Sequence, residues 1–146
     1  MADDQKVIKL DFGGVFMKPS GLPVEAGIYC VYACTDKDEK TVTNLKLLYI
    51  GESGKSVGIQ QRVSTHEKAE EWKKQLPAGQ VLCFTAAKVS DRASRERAEA
   101  AMIFHHKPPV NDEYTHSFPF DTTTINVTGK TSQLTPSFTV KKEAKD

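Results

Sequence analysis

Gly27-Ile28-Tyr29-Cys30-Val31-Tyr32-Ala33-Cys34 decides the fold, together with its echo Asn44-Leu45-Lys46-Leu47-Leu48-Tyr49-Ile50-Gly51. Both runs are dense in β-branched and aromatic side chains, which suit a pleated, half-buried surface, so each reads as a strand. The charged segment Asp36 to Lys40 reads as a turn, making the pair a hairpin with a long loop. Upstream, Val7 to Phe12 alternates enough to be another strand. Phe12-Gly13-Gly14 and Lys18-Pro19-Ser20-Gly21-Leu22-Pro23 carry turn chemistry, and Met1 to Lys6 is a polar, fraying end. Downstream, Gly51 to Gly58 reads as a loop, Ile59 to Glu67 as a helix, and Ala69 to Leu76 as a second helix stopped at Pro77. Gln80 to Val89 is a third strand. Ser90 or Asp91 caps a long helix that reaches about His106 and ends before Pro108-Pro109. Two short extended runs, Thr123 to Val127 and Ser137 to Val140, flank Gly129-Lys130-Thr131 and suggest a closing hairpin. The expected fold is α+β: a small three-stranded, mostly antiparallel sheet flanked by helices, with an extra N-terminal strand and a C-terminal hairpin. The expected organisation is a single domain over 1–146, with a core at 26–111 and an extension at 112–146 that ends in a frayed tail.

The 146 residues suffice for a hydrophobic core without disulfide staples. A net charge of +1 neither demands nor excludes a polyanionic partner. The middle of the chain, 52–110, is mildly basic, with 10 Lys/Arg against 7 Asp/Glu, and that bias fits a nucleic-acid contact. Three cysteines, Cys30, Cys34 and Cys83, without a signal-peptide pattern point to a reducing cytoplasm. Their spacing matches no zinc motif, so buried thiols are the expectation. No apolar run approaches the ~20 residues that span a bilayer, so no membrane partner is expected.

The chemistry-bearing residues arrive in order. Gly27-Ile28-Tyr29 and Tyr49-Ile50-Gly51 form a matched pair of tripeptides on adjacent strands, which strand periodicity does not explain. Arg62-x-x-x-His66 places two side chains on one face of the next helix. Glu99 lies on the long helix beside Met102 and Ile103, which turns a carboxylate toward the core side, where a metal is one suitable partner. Asn111 follows the diproline. Each residue alone has an ordinary reading. Tyr29 and Tyr49 are strand aromatics, Arg62 and His66 a solvated helix face, Glu99 a partner for Arg95 one turn earlier, and Asn111 a turn residue.

Taken together, this run resembles the GIY-YIG nuclease superfamily over roughly Ala26 to Asn111. Both name-giving tripeptides are intact. Arg62 and His66 are similar to the pair that follows the second tripeptide in a restriction-enzyme-like branch. Glu99-x-x-Met102-Ile103 through Pro108 to Asn111 resembles the family's late motif. One departure stands out: Glu52 follows the second tripeptide, where the family often has Lys or Gln.

The resemblance implies a metal-dependent DNA endonuclease that leaves 5′-phosphate and 3′-hydroxyl ends. Glu99 would anchor one Mg²⁺ or Mn²⁺, and Arg62 would present its planar fork to the pentavalent phosphate. Tyr29 or Tyr49 would orient or deprotonate the attacking water, provided that a nearby cation such as Arg62 lowers a phenol that titrates near ~10. His66 is the rival base. Gly51, Ser53, Lys55 and Lys107 are expected to contact substrate phosphate, and a homodimer would add further contacts. Two other functions stay open. One is a non-catalytic nucleic-acid-binding module of the same fold. The other is a P-loop-like nucleotide binder built on Gly51-Glu52-Ser53-Gly54-Lys55-Ser56, although a full P-loop needs glycine where Tyr49 stands.

Overall fold

The computed structural model describes residues 5–38 and 41–142. Six strands join in one mixed, curled sheet in the order β3-β2-β4-β1-β5-β6. They are β1 (Lys6–Phe16), β2 (Gly27–Asp38), β3 (Thr41–Ser53), β4 (Val81–Lys88), β5 (Thr123–Gly129) and β6 (Ser137–Val140). Three α-helices, α1 (Gly58–Ser64), α2 (Ala69–Lys74) and α3 (Arg92–His106), accompany the sheet, and a 3₁₀ turn spans Pro19–Gly21.

This corrects the expected three-stranded sheet with separate terminal additions. The chain is still α+β, but its N-terminal strand and C-terminal hairpin complete the sheet. The first half of β1 pairs in parallel with β5 from Lys6↔Thr123 to Phe12↔Gly129. Its last residues pair antiparallel with β4, at Gly13↔Ala86, Gly14↔Thr85 and Phe16↔Phe84. Gly13 and Gly14 are therefore not a turn. They sit inside β1 where it changes partners, and Gly14 adopts φ +133° with no room for a Cβ, which would lie 2.9 Å from the Phe84 carbonyl oxygen. Glycine inside a strand commonly marks such a bend or close approach. The alternation of Ile8, Leu10 and Phe12 inward with Lys9 and Asp11 outward keeps β1 on the core.

β2 is the centre of its half of the sheet, flanked by β3 and β4. Ile28, Cys30, Tyr32 and Cys34 face a core shared with Ala98, Met102 and Ile103 of α3 and with Ile125 and Phe138 of the outer strands. Tyr29, Val31 and Ala33 face a second core with Ile59 and Val63 of α1 and Trp72 of α2. Burial on both faces explains why β2 reads as a continuous apolar run. The strand is also longer than expected. It runs through Asp38, so the turn read at Asp36 to Lys40 falls partly on strand and partly on 39–40, outside the described residues, as do 1–4 and 143–146 of the expected frayed ends.

α3 begins at Asp91, whose side chain accepts from the Ser94 amide at 2.9 Å, and ends at Lys107 in the left-handed region. α1 stops at Ser64, short of the expected Glu67, so His66 lies in the link to α2 rather than on the helix face that carries Arg62. No helix among the described residues is long and apolar enough to cross a membrane.

Candidate active site

The two motif tyrosines meet because β3 carries a bulge. β2 and β3 pair as Tyr29↔Gly51, Cys30↔Ile50 and Val31↔Tyr49, then jump to Tyr32↔Leu47, leaving Leu48 as the extra residue. Strict alternation from Leu47 would put Tyr49 on the α3 core face. The inserted residue reverses the parity and turns Tyr49 to the side of Tyr29, with ring centroids 6.3 Å apart and planes 29° off parallel. The motif glycines are steric requirements of this arrangement. A Cβ on Gly51 would sit 2.4 Å from the Tyr29 ring and hydroxyl. One on Gly27 would lie 2.1 Å from the Ala87 carbonyl oxygen of β4.

Asn111 holds the bulged edge in place. Its Nδ2 donates to the Ile50 carbonyl at 2.8 Å, and its Oδ1 accepts from the Ile50 amide at 3.0 Å. Next to it, the Val110 amide donates to the Leu48 carbonyl at 3.0 Å. A side-chain amide thus satisfies the outer edge of β3 where another strand would otherwise pair.

These elements enclose a cleft of about 340 Å³ lined by Tyr29, Tyr49, Arg62, Glu99 and Asn111, five of the six residues expected to be catalytic. Four further acids join them: Glu52, Glu67, Asp112 and Glu113. Lys68 lines the cleft as a second cation, its Nζ 3.0 Å from Asp112 Oδ2. Nothing in the sequence singles out Glu67, Asp112 or Glu113, which merely neighbour His66 and Asn111.

Arg62 points its fork at Glu67, with Nη1 donating to Oε2 at 2.7 Å and Nη2 to Oε1 at 3.0 Å. The pairing holds the Glu67 carboxyl down to about 2. Glu52 is not turned on the site as a bare acid, since Arg95 Nε donates to its Oε1 at 2.6 Å while Arg95 itself is buried. Arg95 is therefore spent on Glu52 and not on Glu99, which removes the ordinary helix-pair reading of Glu99. Among the described residues the Glu99 carboxylate has no hydrogen-bond partner. Burial first, and the nearby Glu52 and Glu113 carboxylates next, push it up to about 8. A half-buried, unpartnered carboxyl of this kind suits a divalent cation, whose charge would offset both causes.

Neither phenol is poised to ionise. Burial raises Tyr29 well above the ordinary tyrosine range, helped by Tyr49, and the lowering influence of Arg62 is outweighed. Burial and then Glu99 raise Tyr49 in the same direction, again against Arg62. Both rings therefore enter the cleft as hydrogen-bond donors.

His66 stands behind the tyrosines, with its ring 5.1 Å from that of Tyr49 and 4.7 Å from that of Trp72. Its Nδ1 accepts the Lys68 amide at 3.0 Å, which assigns the proton to Nε2, and Nε2 is buried without a partner among the described residues. Burial, then Arg62, pulls the imidazole down to about 4. The geometry makes His66 a neutral support for the tyrosine wall.

The expected phosphate contacts scatter. Gly51 lies under the Tyr29 ring, and Ser53 is buried with its hydroxyl donating to the Gly58 carbonyl at 2.9 Å. Lys55 lines a separate depression with Ser90, Asp91, Arg92 and Arg95. Lys107 is at the C-terminal end of α3, 4.1 Å over the Phe104 ring. The segment Gly51 to Ser56 also lacks the parallel strand–loop–helix setting of a P-loop, because β3 is antiparallel to β2 and continues through Ser53. Comparison with protein-family models, curated proteins and solved structures finds no match to this chain.

Proposed function

We propose that the chain is a metal-dependent endonuclease of the GIY-YIG type that hydrolyses DNA phosphodiester bonds. The observation that carries this reading is the convergence on one cleft of Tyr29, Tyr49, Arg62 and an unpartnered Glu99, from β2, β3, α1 and α3. Phosphodiester hydrolysis needs a positioned water, charge neutralisation at phosphorus and an oriented substrate. In this reading Arg62 takes the non-bridging phosphate oxygens, and the two protonated phenols orient water and substrate. Asn111 and His66 act behind them, one fixing the β3 bulge and the other the aromatic wall. Glu99 would hold one Mg²⁺ or Mn²⁺, whose chemistry is Lewis-acid polarisation of phosphate and lowering of the pKa of bound water. The choice of DNA over other phosphodiesters rests on the motif resemblance, and three free, buried cysteines accord with a reducing, cytoplasmic setting.

The second reading, a non-catalytic nucleic-acid-binding module of the same fold, draws on the Arg62 fork being occupied by Glu67. Plasmid nicking with Mg²⁺ or Mn²⁺, wild type against Glu99→Ala, separates the two. Cleavage by wild type that drops at least about 10³-fold in the variant is expected of the enzyme. No cleavage of duplex, single-stranded or branched DNA with either metal would leave only the binding module.

A further inference from the structure

Both cations of the cleft are covered from the solvent side by carboxylates that are more exposed than they are. Arg62 is 33% exposed and its partner Glu67 is 67% exposed. Lys68 is 19% exposed and its partner Asp112 is 76% exposed. In the Arg62 pair both guanidinium donors used are matched to both carboxylate oxygens. That is the planar, two-point geometry with which a guanidinium also receives two phosphate oxygens. Glu67 belongs to the short link between α1 and α2, while Arg62 belongs to α1 itself, so the carboxylate can leave without disturbing the helix that aims the fork.

We propose that the Glu67 carboxylate is an internal occupant of a phosphate subsite on Arg62, and that a nucleic-acid phosphodiester binds there by displacing it. The proposal rests on the nuclease reading for its ligand. It adds that Glu67 competes with substrate, and so sets the affinity threshold of the site. A surface pair of this kind is cheap to exchange, and its acid repels an incoming anion for as long as it stays.

The test is calorimetric titration of the full chain with thymidine 3′,5′-bisphosphate in the presence of chelator, so that no metal contributes. Glu67→Gln is expected to bind roughly three- to tenfold more tightly than wild type. Glu70→Gln, which removes the same charge from an exposed acid of α2 outside the cleft, is expected to match wild type. Arg62→Ala is expected to lose binding with or without Glu67→Gln. Equal or weaker binding by Glu67→Gln, with its melting curve unchanged, overturns the proposal and leaves Glu67 as a prop for Arg62. An equal gain in Glu70→Gln, or no binding by any variant, overturns it as well. Failure of plasmid cleavage with this binding order intact would sink the nuclease reading alone.

Discussion

The region under the β5–β6 connection and the cleft treat their polar groups differently. Beneath the 130–136 connection from β5 to β6 they are closed off. The Tyr32 hydroxyl donates to the Ser132 carbonyl at 2.7 Å, and the Leu47 amide donates to Gln133 Oε1 at 2.6 Å. His106 uses both ring nitrogens, Nδ1 on the Met102 carbonyl at 2.9 Å and Nε2 on the Thr135 amide at 3.0 Å. In the cleft and the aromatic wall behind it the groups stay open. Among the described residues Glu99 lacks a hydrogen-bond partner, and the buried Nε2 of His66 and Nε1 of Trp72 have none. Buried polar groups are normally satisfied, so the contrast marks the cleft as the candidate working surface.

The sharpest way to break this contrast is glycine replacement. Gly51→Ala drives a methyl into the Tyr29 ring at 2.4 Å and is expected to cost about 3 kcal/mol or more, by urea denaturation, along with any cleavage activity. Gly13→Ala meets only the Ala86 carbonyl oxygen at 3.9 Å and should stay within about 1 kcal/mol. Similar costs for both would mean that the tyrosine packing is not close.

Next comes the edge clamp. Asn111→Ala removes both bonds to Ile50 and should cost about 1–3 kcal/mol and lower kcat. Gln133→Ala removes one bond to Leu47 and should cost about 1 kcal/mol with kcat unchanged. An Asn111→Ala variant with full activity would deny that the clamp aims the site.

The open groups also set two pH limbs of opposite sign. The folded pKa of Glu99, about 8, lies above its ordinary value of about 4.5, so its carboxyl stays protonated in the fold while the unfolded chain ionises. Its contribution to stability is full below pH ~4.5 and is lost as pH rises toward 8. Glu99→Gln should therefore melt higher than wild type at pH 8, and Mg²⁺ should narrow the gap by stabilising only wild type. His66, at about 4, is lowered instead, so its contribution is present above ~6.5 and is lost as pH falls toward 4. His66→Gln should flatten that acid limb; an unchanged limb would place the burial penalty elsewhere. The smallest effect is expected from Lys107→Ala, which removes an exposed ring contact and the Nζ bond to the Thr115 carbonyl, together worth about 1 kcal/mol, and should leave cleavage unaltered.

Much of the fold was legible because its signals are local. The β2 run, the Asp91 cap, α3 up to the diproline and the short extended runs of β5 and β6 appear where propensity and turn chemistry put them. What escaped was non-local. Gly13-Gly14 looks the same in a turn as in a strand that changes partners, and only the positions of β4 and β5 decide between them. The end of α1 at Ser64 was also out of reach, since the packing of His66 against Tyr49 and Trp72 competes with helix propensity there.

By itself the sequence determined the candidate site residues and their order, because the side-chain types and spacings of Tyr29, Tyr49, Arg62, Glu99 and Asn111 are written in it. Only the tertiary structure decided how they act on one another. The Leu48 bulge turns Tyr49 toward Tyr29, Arg95 leaves Glu99 for Glu52, and Glu67 takes the Arg62 fork. Strand parity, ion-pair choice and burial depend on which elements meet across the fold, and contacts at such separations have no local signature.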